Sequence, residues 1–370
     1  METIVVSHGT ALYAIRSSRR RYADLPWEQL ARSQQQRALD ACTPNMSCLD
    51  LDELERLGVW DPSLGCADVL VGSMNSYRHH GRVRQHLLSK PLPSNSLLKI
   101  AEGIYTASPA LVLVQYAEDH PWQEVLGLAL ELCGTFSLVE SSANQAPPPR
   151  ANAGHTFSNL DDLDLEGRKD AWPDTESQGR SALGYFAGEP VLTCNQLNRY
   201  VSYAKDIHGL PNARKAARYA LDGAASPMEA IMAAMFHVPK SAGGFGIRDM
   251  QLNYRMEFDH DAVLASGVTY AVLDAYIHSA KTTMEYNGHC HDAIRSRIHD
   301  EKRMAGLQAM GILTIPVNDE QLQSLDALEA MAKTLYKRMG TQFRYTSDGY
   351  RQKQAELLNA LRKQMGLKPC

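Results

Sequence analysis

A stretch near the middle of the chain decides how the rest can fold. Ala143-Asn144-Gln145-Ala146-Pro147-Pro148-Pro149-Arg150 leads into a polar run, and Glu140 to Glu189 holds four basic against nine acidic residues. Such a segment buries too little apolar surface to offset its ordering entropy, so a linker or mobile insertion is expected over 141–182. The chain then divides into an amino-terminal region, 1–140, and a carboxy-terminal region, 183–370. With 370 residues in all, each region is long enough to bury its own core.

Composition narrows the class. Hydrophobic residues make up 44% and charged ones 22%, ordinary for a soluble globular protein. The longest apolar stretches, such as Ala110 to Tyr116, fall far short of the roughly 20 residues that span a bilayer. The start, Met-Glu-Thr-Ile-Val-Val-Ser-His, has no basic segment followed by an apolar one, so secretion is not expected. Seven cysteines without a CxxC pair argue against a zinc ribbon or a disulfide framework and for reduced thiols in the cytoplasm. A net charge of −4 argues mildly against a dedicated nucleic-acid coat protein. From Val201 onward, however, 21 basic residues stand against 18 acidic ones, which permits nucleic-acid binding there.

The amino-terminal region reads as mixed helix and strand. Ser7-His8-Gly9-Thr10-Ala11-Leu12 suits a turn opening a short helix, followed by the compact basic cluster Arg16, Arg19, Arg20 and Arg21. Trp27, Leu30, Ala31, Ala38, Leu39 and Cys42 recur at helical spacing. Leu97 to Tyr105 reads as two short strands around a turn, and Trp122 to Cys133 as a buried helix. A small, winged-helix-like α/β unit fits this pattern. The four arginines can meet a phosphate backbone or simply form a solvated helix end.

The carboxy-terminal region is more regular. Ser226-Pro227-Met228-Glu229 combines an N-cap serine, proline at the first helical position and glutamate at the third, a capping box. A glycine-rich turn follows at Gly243-Gly244-Phe245-Gly246. Strands are expected at 251–258, 268–277 and 282–286, a helix at about 292–310 ending before Gly311, and a strand at Ile312-Leu313-Thr314-Ile315. Helices at about 319–339 and 349–365 complete the chain. Helix, three strands, helix, strand and helix imply an α+β fold with a mixed sheet covered by helices.

Chemistry concentrates in the second and third of these strands. With a side-chain period of two, Tyr270, Val272, Asp274 and Tyr276 share one face, as do Thr283, Glu285 and Asn287. Paired, the strands bring Asp274 and Glu285 together with Asn287 just beyond. Two close carboxylates repel unless a cation intervenes, and Mg²⁺ (or Mn²⁺) suits an all-oxygen donor set with room for water and phosphate. Such a cation can activate water for attack on a phosphodiester. Each residue also has a plain structural role available: Glu229 as a cap, Asp274 as a strand-end acid, Glu285 beside an Asn-Gly turn.

Ser226-Pro227-Met228-Glu229, the strand ending in Asp274, Glu285-Tyr286-Asn287-Gly288-His289-Cys290-His291, and Asp300-Glu301-Lys302-Arg303 before Gly311 together resemble the PD-(D/E)XK nuclease superfamily, near the very-short-patch-repair endonuclease group. The resemblance covers Ser226 to Val317. It implies a metal held by Asp274 and Glu285, an outer acid at Glu229, His291 positioning water or touching phosphate, and Arg303 on the DNA backbone. Asn287 departs from the pattern, because the superfamily carries lysine there and this subgroup an acid; a carboxamide can only hydrogen-bond a nearby water. Glu102 to Pro109 and Ser7 to Ala11 resemble the amino-terminal region of AbiE-type antitoxins, which are DNA-binding regulators. Two functions follow as expectations: a Mg²⁺-dependent endonuclease acting on DNA, or a catalytically silent DNA-binding, antitoxin-type regulator on the same fold.

Overall fold

The computed structural model describes residues 3–22, 24–42, 51–77, 81–88, 90–139, 184–287, 294–345 and 349–370. The expected linker at 141–182 lies outside the described residues. The chain forms two units.

Unit 1 begins with β1 (Ile4–Val6), α1 (His8–Arg21), β2 (Glu28–Gln29), α2 (Arg32–Ala41) and α3 (Leu51–Arg56). It continues through β3 (Ala67–Val71), β4 (Val83–Leu87), β5 (Leu97–Ala101), β6 (Ile104–Ala107), α4 (Pro109–Tyr116) and α5 (Trp122–Leu132). Six strands form one mixed sheet in the order β2-β5-β6-β1-β3-β4, with β1–β6 and β3–β4 parallel. That sheet is wider than the small winged-helix-like unit the sequence suggested. The turn opening α1 also leads into 14 residues rather than a short helix. Ile4, Val6, Leu54, Trp60, Val69 and Ile104 belong to its core.

After β7 (Phe136–Leu138) and β8 (Tyr185–Ala187) the chain forms α6 (Cys194–Tyr203) and α7 (Leu210–Tyr219). The segment from Gly184 to Arg218 packs into unit 1, not into the carboxy-terminal unit, so the boundary expected at 183 falls at Arg218. Specific contacts hold it there. Tyr200 on α6 hydrogen-bonds Ser96 at 2.8 Å, and Arg19 on α1 donates to the carbonyls of Gly188 and Glu189.

Unit 2 follows the expected order with one addition. Its elements are α8 (Pro227–His237), β9 (Met250–Glu257), α9 (His260–Ser266), β10 (Tyr270–Ile277), β11 (Thr282–Tyr286), α10 (Ile294–Ala309) and β12 (Leu313–Val317). Helices α11 (Asp319–Gln323), α12 (Leu325–Arg338) and α13 (Tyr350–Gln364) close the chain. Helix α9 is the addition, and the helix expected over 319–339 is broken at Ser324, which caps α12. The sheet order is β12-β11-β10-β9, with β9–β10 and β10–β11 antiparallel and β11–β12 parallel. Ala271, Leu273, Met256 and Phe258 pack with Ala262 and Leu307 from α9 and α10. Helix α8 packs on β9 and β10 and is buried along nearly its whole length.

The glycine-rich turn is dictated by close approach. A Cβ on Gly244 would stand 2.0 Å from the Val238 carbonyl oxygen, and Gly243 has φ +99 with its Cβ direction 2.3 Å from the Lys353 carbonyl oxygen. Neither obstacle is a flexible side-chain end, so the backbone itself must shift to admit a methyl group. Gly244→Ala is expected to destabilise unit 2 by about 3 kcal/mol, the upper end of what overpacked interiors typically cost. A urea midpoint within error of wild type would contradict this account of the turn.

Candidate functional site

The β10–β11 register aligns Ala275 with Met284, Tyr276 with Thr283 and Ile277 with Thr282. Continued by one residue, it sets Asp274 opposite Glu285, the juxtaposition expected from strand periodicity. The Tyr286 N–H donates to Asp274 Oδ2 at 2.9 Å, which fixes the aspartate against β11. On the other side of β10, the register skips one position, between Leu273↔Tyr254 and Ala275↔Leu252. The residue skipped on β9 is Asn253, and it has φ +46.

Asn253 is the member of the site that sequence reasoning missed. Its Nδ2 donates to Glu229 Oε2 at 3.1 Å and to the Gly223 carbonyl at 2.6 Å. Asparagine is among the few non-glycine residues that tolerate the left-handed region, and backbone strain of this kind clusters at functional sites. The available signal was a strand-disfavoured asparagine between Leu252 and Tyr254 in an otherwise β-prone run.

Glu229 sits at the start of α8 and is 8% exposed. The Ser226 hydroxyl accepts the Glu229 N–H at 3.2 Å and donates to Oε1 at 3.1 Å. The carboxylate then reaches past the N-cap to the Ala225 N–H at 2.9 Å. The expected capping box is therefore altered: the glutamate turns to the residue before the cap and to Asn253. Burial first, and the Asp274 charge second, push the Glu229 carboxyl up to about 7.

Glu285, 5% exposed, behaves alike. The Thr283 hydroxyl donates to Oε1 and Arg303 Nη2 to Oε2, while Arg303 Nη1 reaches the Val272 carbonyl at 3.2 Å. Burial and Asp274 still outweigh the arginine and push the Glu285 carboxyl up to about 7. A half-buried Asp274 thus acts on two buried glutamates carried by different elements.

The donors are all carboxylate oxygens, the chemistry of a hard divalent cation, and a nearby positive charge would favour the ionised form of the raised glutamates. Asp274 and Glu285 would hold the cation, with Glu229 as an outer acid. Arg303 already shares Glu285, so a cation there must share or take over one of its oxygens. Asp274 lies near enough to act on both Glu229 and Glu285, and Arg303 contacts Glu285. Asn287 is exposed just beyond β11, its N–H donating to the Val317 carbonyl at 2.8 Å, and His291 lies outside the described residues.

The arginine cluster of unit 1 looks different from its sequence. Arg16 makes a paired contact with the fully buried Glu131, Nε to Oε1 at 2.8 Å and Nη2 to Oε2 at 2.7 Å. Arg19 is 5% exposed and donates to the carbonyls of Glu131, Gly188 and Glu189. These two are interior anchors and do not face a phosphate backbone. Arg20 stands over the Phe186 ring at 5.8 Å, and Arg21 is exposed at the end of α1.

Among the described residues no helix is long and apolar enough to cross a membrane. Cys42, Cys66, Cys133, Cys194 and Cys370 are all unbridged. No family model, no curated protein and no solved structure matches the chain.

Proposed function

We propose that unit 2 is a metal-dependent, endonuclease-like module acting on the phosphodiester backbone of DNA in the cytoplasm. One observation carries the reading: two glutamates from different elements, Glu229 on α8 and Glu285 on β11, are buried beside the same Asp274, and burial first and its charge second raise both. Structural ion pairs normally settle a carboxylate below its ordinary range, whereas here buried acids are kept in a costly arrangement. Support also comes from the order of elements, which sets the acid-bearing helix, two acid-bearing strands and the Arg303 helix in one unit, and from the resemblance over Ser226 to Val317.

When bound, Mg²⁺ or Mn²⁺ would supply charge for a developing phosphoryl oxyanion and a more acidic water. The chain's own groups orient what surrounds it. The Tyr286 N–H holds Asp274, Thr283 holds Glu285, Asn253 holds Glu229, and Arg303 offers a planar, bidentate partner for a phosphate. Asn287, neutral where the resembling family has lysine or an acid, favours a second reading: a DNA-binding or antitoxin-type regulator whose nuclease-like unit does not cut.

Calorimetric titration of Mg²⁺ and Mn²⁺, into the protein alone and with duplex DNA, separates these. The first reading expects a cation site that disappears in the Asp274→Ala, Glu285→Ala variant, with cleavage lost in parallel. Binding that survives in the variant, or no cation bound under either condition, would sink it. Retained DNA binding without cleavage in any divalent metal would leave the regulator.

A further inference from the structure

Arg303 is the cation that contacts Glu285, and the contact is built rather than incidental. Its Nη2 sits on Glu285 Oε2 while its Nη1 is fixed to the backbone of β10 at Val272, two residues before Asp274. Thr283 takes the other carboxylate oxygen. The two partners differ in access: the Arg303 side chain is 24% exposed and that of Glu285 only 7%. The arginine is thus the more open of the two to solvent, and the carboxylate it contacts the more enclosed.

A divalent cation on Asp274 and Glu285 and a guanidinium on Glu285 compete for the same charge, and as like charges they repel each other. A phosphodiester changes the balance, because a phosphate accepts two parallel N–H bonds from one guanidinium and brings its own negative charge. From this geometry we infer that Arg303 couples the two ligands: a nucleic-acid phosphate draws the guanidinium off Glu285, and the freed carboxylate then completes the metal site. Metal binds weakly to the protein alone and tightly to its complex with nucleic acid. By linkage, metal tightens nucleic-acid binding by the same factor. The inference rests on the metal site proposed above and adds an order of assembly to it.

The test uses the full chain, Ca²⁺ as an oxygen-seeking cation, and a fluorescent DNA duplex. In the wild type, Ca²⁺ affinity measured by calorimetry is expected to rise about tenfold or more when the duplex is present, within the usual span of coupling between sites. Duplex affinity measured by anisotropy at constant ionic strength is expected to rise equally when Ca²⁺ is added. Arg303→Gln should bind Ca²⁺ without duplex about tenfold more tightly than wild type, and lose the coupling. Equal Ca²⁺ affinities of wild type with and without duplex overturn the inference whether or not the variant folds. Unimproved Ca²⁺ binding in a variant with native circular dichroism overturns it as well. If the wild type binds no divalent cation under either condition, the metal site itself falls; if it binds one with no coupling, only the role given to Arg303 falls.

Discussion

Replacing Glu131 with alanine is expected to destabilise unit 1 by about 3–5 kcal/mol, the range for stripping one partner from a buried ion pair. Glu131 is fully buried on α5, accepts both Arg16 nitrogens, and also accepts the Leu138 N–H at 3.0 Å and the Ser137 hydroxyl at 3.3 Å. Burial alone would raise its pKa, but the Arg16 charge and hydrogen bonds prevail and hold it below the ordinary range. Because the folded-state pKa is depressed, this stabilisation is present above the unfolded-state pKa and is lost as pH falls through the folded one. Alanine removes the acceptor and leaves the Arg16 guanidinium, 13% exposed, without its counter-ion. Three of the four tryptophans, Trp27, Trp60 and Trp122, lie in unit 1, so tryptophan fluorescence during urea unfolding reads the effect when measured in a Trp172→Phe background. Leucine at 131 combined with methionine at 16 should recover part of the loss, since an apolar pair avoids the desolvation cost but no longer accepts the Leu138 N–H and Ser137 hydroxyl. A single Glu131→Ala variant as stable as wild type would mean that the pair contributes nothing.

The second large effect concerns pH. Glu229 and Glu285 have folded-state carboxyls raised from the ordinary 4.5 to about 7 by burial and by Asp274. A raised pKa means that the folded state binds protons more tightly than the unfolded state between those two values. The stability these groups contribute is therefore fully present below about 4.5 and is lost as pH rises through about 7. Unit 2 should unfold at lower urea concentration at pH 7.5 than at pH 5.5. Asp274→Asn keeps an oxygen acceptor for the Tyr286 N–H and removes the charge, so the decline should become shallower although burial continues to raise both glutamates. A bound divalent cation should restore the wild type at high pH, by about 2.7 kcal/mol at a hundredfold excess over its Kd, and leave Asp274→Asn unmoved. Far-UV circular dichroism, read beside the tryptophan signal of unit 1, separates the two transitions. An identical pH slope in wild type and Asp274→Asn would remove the Asp274 charge as a contributor to the shifts and leave burial alone.

The parts of this molecule legible in its sequence are those governed by local spacing. β10 announces itself because Ala271, Leu273 and Ala275 alternate with Tyr270, Val272 and Asp274, and the same period placed Asp274 and Glu285 on a common face. α8 shows in its serine, proline and glutamate. Helix α9 escaped because seven residues span too few turns for periodicity to emerge. Long-range pairing was out of reach. Arg16 and Arg19 read as a basic patch because their partner lies more than a hundred residues away, although an acid inside the apolar run Leu128-Ala129-Leu130-Glu131-Leu132 was a sign that a buried cation must answer it. Asn253 was invisible for the same kind of reason: its importance lies in a backbone angle and in a glutamate 24 residues away. The boundary at 183 failed because composition marks where a core stops, not which core the next segment joins.

That last point has a consequence for how the protein comes off the ribosome. Unit 1 receives the segment Gly184 to Arg218 from beyond the acidic stretch: Arg19 and the Leu132 carbonyl contact its first residues, and Ser96 contacts α6. The Val191 N–H, for example, donates to the Leu132 carbonyl at 3.0 Å. A nascent chain with only its first 140 residues outside the exit tunnel has the sheet but not its closing helices, so the first unit completes its fold only after Arg218 has emerged. A fragment cut at 140 inherits the same deficit permanently, whereas one cut after Arg218 carries every contact described for that unit.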